Sequence, residues 1–227
     1  MIKNKKLTVT LVIYCILFYG VWTLTELVLK DPVFALSGKN DTVFALLRDG
    51  VWKNLVWTLP ALLLIRHFSG DMLVGFRDMW RFKKKDIIIL SALMALCAAY
   101  VICSLLFSRH GLAISPSFGW DDIIVVLFVG LAEELVFRGW LLNSMEKHAD
   151  TEAKKYLVLL LNAVMFLLIH FPIWISSGEL VSNMTHLGFL PIMVLSALFG
   201  MSFLKTGNIL VPVIVHSFYD LLVFMLA

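Results

Sequence analysis

"IIILSALMALCAAYVICSLLF", Ile87 to Phe107, carries no charged residue. At about 1.5 Å per residue an α-helix of this length crosses the hydrocarbon core of a bilayer. The rest of the chain has the same character. Its 227 residues are 60% hydrophobic and only 15% charged, with a mean hydropathy of +0.90. Soluble domains run nearer half apolar and a quarter charged, so the composition points to an integral membrane protein.

Outward from that run, seven spans are expected, at about 7–29, 51–66, 87–107, 121–142, 156–175, 187–204 and 209–226. No internal repeat or soluble segment interrupts them. The expected fold is therefore an all-α, polytopic membrane helix bundle forming a single domain over 1–227. The opening "MIKNKK" precedes an apolar run, Leu7 to Leu24, that is long and lacks a small-residue cleavage site, which argues against a removable signal peptide.

Net charge is +3, and its placement says more than its size. Lys3, Lys5 and Lys6, the 66–85 set, Lys147, Lys154, Lys155 and Lys205 alternate onto one side of the membrane. Lys30, Lys39, Arg48, Lys53 and Arg109 fall on the other. The positive-inside rule then puts the N-terminus in the cytoplasm and Ala227 outside, as in a plasma-membrane protein. No basic stretch is interleaved with aromatics, so nucleic acid is not an expected partner. Cys15, Cys97 and Cys103 lie within apolar runs, without disulfide or metal-ligand spacing. His67, His110 and His148 fall in loops.

Arg138 belongs to neither loop set. It lies with Glu133 and Glu134 in "GLAEELVFRGWLL", Gly130 to Leu142, where three ionisable groups interrupt an apolar segment. His170 in "FLLIHFP" and the pair His216 and Asp220 in "HSFYD" are also at membrane depth. Such groups are costly in hydrocarbon and normally face a cavity or one another. Glu134 and Arg138 are four apart, as are His216 and Asp220, so each pair shares a helix face. The first pair reads as a structural ion pair. Glu133 is turned by roughly 100° from Glu134, with no evident local partner. Counted from the cytoplasmic ends, Glu133, His170, His216 and Asp220 lie roughly 10–21 Å deep, near the bilayer midplane. Pro172, Pro191 and Pro212 remove helix hydrogen bonds nearby.

Glu133-Glu134-Leu-Val-Phe-Arg138, Phe166-Leu-Leu-Ile-His170 and His216-Ser-Phe-Tyr-Asp220 follow the patterns EExxxR, FxxxH and HxxxN/D, in order and on separate expected helices. Together they resemble the CPBP family of CAAX prenyl proteases and bacteriocin-processing (Abi) proteins. The resemblance covers 121–227, the motif-bearing protease core. It implies an intramembrane endopeptidase acting on a membrane-proximal peptide or protein, of CAAX or leader type. Glu133 would activate water, assisted by His170, and His216 with Asp220 would complete the polar site. Prenyl-protein proteases have asparagine at the Asp220 position, and an ionised aspartate would repel an oxyanion rather than donate to it. Glu133, His170, His216 and Asp220 are also suitable zinc ligands, so metal-dependent and metal-free mechanisms both stay open. Two other functions fit the same residues: a bacteriocin self-immunity protein without essential proteolysis, and a proton- or cation-coupled transporter.

Overall fold

A computed structural model describes residues 4–108 and 111–226; Lys3, Arg109, His110 and Ala227 lie outside the described residues. Among the described residues the protein is all-helical, and its only β feature is a lone bridge between Ile114 and Leu226. Eight helices follow one another: α1 (Lys5–Leu36), α2 (41–67), α3 (Lys84–Phe107), α4 (120–146), α5 (Glu152–Ser177), α6 (Leu180–Thr185), α7 (Phe189–Thr206) and α8 (Leu210–Met225).

Seven of these overlap the expected spans, and the short α6 is additional. By length and composition, α1, α3, α5 and α7 are apolar enough to cross a membrane, while α8 is apolar but shorter. The expected second span, 51–66, starts too late. Asn40 caps that helix by accepting from the Val43 amide at 3.0 Å, so α2 begins at Asp41 and runs through Arg48, Asp49 and Lys53. Those charges suppress the hydropathy of its first half although each finds a partner inside the protein.

Helix α4 is the centre of the bundle. Residues 132–144 are buried without exception, and α2, α5, α7 and α8 all pack on it. Between apolar helices in lipid, close approach and hydrogen bonds do more than apolar burial, so small residues matter. A Cβ on Gly130 would lie 2.5 Å from Ser217 Oγ, and only glycine lets α8 come this near. Ser217 uses the approach to donate to the Val126 carbonyl at 2.9 Å. Gly200 meets Leu159 in the same way where α7 crosses α5.

Several stretches are wound more widely than an α-helix. Leu135–Leu142 in α4, Thr25–Leu29 in α1, and Leu46–Trp52 and Asn54–Thr58 in α2 have π-helical hydrogen bonding. Such turns are rare and concentrate at functional sites. An aromatic core lies beside them: Phe18, Trp22, Trp57, Phe137, Trp140 and Phe166 are all buried, with Phe18 and Trp57 4.5 Å apart between centroids.

Only one of the three prolines coincides with a helix break. Pro191 and Pro212 lie in the first turns of α7 and α8, where an N–H has no intrahelical partner. Pro172 follows a real interruption of α5 at Ile169–His170. Helix α1 takes up two carbonyls around it: Tyr19 Oη donates to Met165 O at 2.6 Å and Trp22 Nε1 to Ile169 O at 2.9 Å.

The basic segments gather at one end. Asn4 donates to Asp71 at 2.8 Å, Lys6 lies 3.3 Å from His67, Leu73 bonds to Asn143, and Ile209 to Met79. The opposite end holds the Ser115–Met225 contact.

Candidate active site

Two glutamates, two histidines and an aspartate reach one region from three helices. Glu133 and Glu134 come from α4 at the last α-helical turn before its π segment. His170 sits at the break in α5, and His216 and Asp220 lie one turn apart on α8. The start of α8 is fixed by its neighbours. Gly207 adopts φ +64°, which reverses the chain after α7. Asn208 then accepts from the Leu210 amide at 2.8 Å, and the Ile209 amide donates to Met79 O at 2.8 Å. With Gly130 admitting α8, His216 is carried against α4.

The imidazole of His216 lies between the two glutamates. Its Nδ1 is 2.8 Å from Glu134 Oε1, and its Nε2 is 3.9 Å from Glu133 Oε2 and 3.5 Å from Asp220 Oδ2. An ionised carboxylate only accepts, so Nδ1–H donates to Glu134. The turn of roughly 100° between adjacent helical residues therefore does not send the glutamates to separate places; they approach opposite edges of one ring. Phe199 stacks on that ring at 4.9 Å, and Phe166 lies 5.9 Å away on another side.

Arg138 donates from Nη1 to Glu134 Oε1 at 3.0 Å, and both side chains are fully buried. Its Nη2 donates to Ser196 O at 2.8 Å and Ser196 Oγ at 2.7 Å. The guanidinium also lies 4.6 Å from the Phe166 ring. Ser196 gave no signal in the sequence, because an isolated serine in an apolar helix is unremarkable.

His170 is held by a local contact. Its Nδ1 is 3.0 Å from the Phe166 carbonyl, an acceptor, so that nitrogen carries the proton and Nε2 is the free acceptor. The Phe166 ring lies near both histidines, 5.3 Å from His170 and 5.9 Å from His216 between centroids. Among the described residues His170 makes no direct hydrogen bond or ion pair with Glu133, His216 or Asp220.

Glu133 does have a partner, and it comes from the first half of the chain. Lys53 Nζ donates to Glu133 Oε1 at 2.8 Å, with both side chains buried. The lysine lies in α2 between two π-helical stretches, its ammonium 4.3 Å from the Trp57 ring and 5.0 Å from the Trp22 ring. Its expected place among the residues beyond the membrane is wrong. Long amphipathic side chains near the end of a span resemble topology markers in sequence, and only the fold shows this one turned inward. Glu26 in α1 belongs to no motif and gave no signal in the sequence. It is buried, 3.8 Å from Lys30 and 4.0 Å from Arg48, well away from the cluster around Glu133 in sequence and in partners.

Two cations, Lys53 and Arg138, face three carboxylates, Glu133, Glu134 and Asp220. One proton added to the His216–Asp220 pair would make the cluster neutral, the state a low-dielectric site favours. The set does not fit zinc as arranged. Among the described residues no three His, Cys, Asp or Glu side chains are grouped to hold a metal ion. Glu133 Oε1 is taken by an ammonium and His216 Nδ1 by Glu134.

No curated protein and no solved structure matches the chain. A family model does match, in agreement with the resemblance of the three motifs. Residues 115–222, just under half of the chain and including every motif residue but not Lys53, match the type II CAAX prenyl endopeptidase Rce1-like family, which supports an intramembrane protease.

Proposed function

We propose that the protein is a metal-free intramembrane endopeptidase that hydrolyses a peptide bond close to the membrane, using a water activated by Glu133. The observation that carries this reading is the 3.9 Å separation of Glu133 Oε2 and His216 Nε2, two buried polar atoms facing each other beyond hydrogen-bond range. A polar contact of that length is the place for a bridging water.

Glu133 Oε2 takes a proton from that water, and the water oxygen bonds to the scissile carbonyl carbon. The free Nε2 of His170 orients the water's second hydrogen. Electron density moves to the carbonyl oxygen, which needs a donor as it becomes an oxyanion. His216 supplies it from Nε2 when it holds the proton shared with Asp220, while Glu134 fixes the ring through Nδ1, as a carboxylate orients histidine in other hydrolytic sites. Collapse of the tetrahedral intermediate breaks the C–N bond, and the proton on Glu133 passes to the leaving amine. Asp220 thus acts through His216 instead of contacting the oxyanion, which accounts for an aspartate at that position.

The matched family favours, as substrate, a C-terminal CAAX-type segment carrying a prenyl group, with a leader or bacteriocin precursor as the alternative peptide. The basic end of the bundle faces the cytoplasm in this reading. Wild-type protein reconstituted in liposomes tests it with a quenched fluorescent peptide ending in a farnesyl-cysteine CAAX sequence. Release of the C-terminal tripeptide is expected, and an intact peptide contradicts the CAAX assignment.

A further inference from the structure

We infer that Lys53 is a positioning residue of the reactive centre: it holds one oxygen of Glu133 so that the other stays ionised and faces the water. The inference rests on the reading of Glu133 as the base, and it concerns a residue outside the matched stretch 115–222.

The division of labour between the two carboxylate oxygens carries it. Oε1 accepts from Lys53 at 2.8 Å, and Oε2 faces His216 Nε2 at 3.9 Å. A carboxylate free to rotate would exchange its oxygens and lose the alignment that proton abstraction needs. An ammonium on one oxygen fixes the rotation and, as an opposite charge in direct contact, favours the ionised form required of a base. With the Trp22 and Trp57 rings beside its ammonium, the Lys53 side chain is only 4% exposed, so water screens its charge little. Trp22 and Trp57 are themselves fixed, the first by its bond to Ile169 O and the second by complete burial.

A lysine serving only the fold would leave the ionisation of Glu133 and the pH dependence of the rate unchanged. A positioning lysine predicts both a rate effect and a spectroscopic one. Full-length wild type, Lys53→Met, Lys53→Arg, Glu133→Gln and the double variant Lys53→Met/Glu133→Gln are purified in detergent and compared by infrared spectroscopy at neutral pH. Lys53→Met should show the band of a protonated carboxyl, and that band should vanish in the double variant. Wild type and Lys53→Arg should lack it, a proton shared between His216 and Asp220 being common to all five proteins and cancelling in the difference spectra. With the farnesylated peptide, kcat of Lys53→Met should fall about 10- to 100-fold at little change in KM. The acid side of its pH–activity profile should move to higher pH, and Lys53→Arg should restore the profile. Lys53→Gln carries the same measurements if Lys53→Met does not purify.

Absence of the carboxyl band together with an unshifted profile overturns the inference. An inactive Glu133→Gln beside a fully active Lys53→Met overturns the role of Lys53 and leaves the protease reading standing. A Glu133→Gln variant that cleaves like wild type removes the protease mechanism itself. If wild type leaves the peptide intact, the infrared comparison alone decides for or against Lys53.

Discussion

Glu134 accepts a hydrogen bond from His216 Nδ1 at 2.8 Å, through the same oxygen that binds Arg138. The second glutamate of the motif is thus both the counter-ion of a buried arginine and the group that orients a site histidine. One carboxylate oxygen joins the buried ion pair to the candidate site.

Glu134→Gln should therefore damage stability and turnover together. Removing one partner of a buried ion pair costs about 3–5 kcal/mol, with Ser196 still holding the other side of Arg138. A lowered unfolding temperature in detergent and a lowered kcat are the expected results. Wild-type stability in this variant would show that Arg138 is held adequately by Ser196 alone.

Gly130→Ala should push α8 away from α4, because the new Cβ would lie 2.5 Å from Ser217 Oγ. Overpacking of this kind typically costs about 1–3 kcal/mol, and here it also moves His216 relative to Glu133. Activity should fall more than stability, and Ser217→Ala in the same chain should recover part of it. Unchanged turnover in Gly130→Ala would mean that the close approach does not set the site.

Chelation tests the absence of a metal step. Protein dialysed against EDTA should keep its turnover, since the carboxylates and His216 are committed to one another and to cations. Reversible loss, restored by zinc with about one bound equivalent, would contradict the metal-free mechanism.

Topology is tested by labelling. In a chain with Cys15, Cys97 and Cys103 replaced, Lys84→Cys lies at the basic end and Ser117→Cys at the other. A membrane-impermeant maleimide should label Ser117→Cys in intact cells and Lys84→Cys only after permeabilisation. The reverse pattern would invert the orientation.

Much of this was legible in the sequence, for physical reasons. Ile87–Phe107 could only be a membrane helix, and the four-residue spacing of Glu134 and Arg138 brought them together even though the intervening turn is π-helical. The contacts of Lys53 with Glu133 and of Glu134 with His216 were not legible. They join residues 80 and 82 positions apart, and no local pattern encodes which helix face meets which. Lys53 was further disguised by a charge that marks a loop in most membrane proteins. The π-helical turns were hidden too, because hydropathy at 3.6-residue spacing is blind to a locally wider winding. The Glu134–Arg138 ion pair is present as its spacing implies; the further contact of Glu134 with His216 and the Lys53 partner of Glu133 lie too far away in sequence for any local pattern to show them.

The most direct test of the central claim is a single comparison of wild type with Glu133→Gln, reading cleavage of the farnesylated peptide and thermal unfolding in the same preparations. Glutamine keeps the shape of the side chain and can still accept from Lys53, but it cannot take a proton from water. The account predicts a folded protein whose turnover falls at least about 100-fold, the lower range for loss of a general base. Cleavage by Glu133→Gln at the wild-type rate would contradict it.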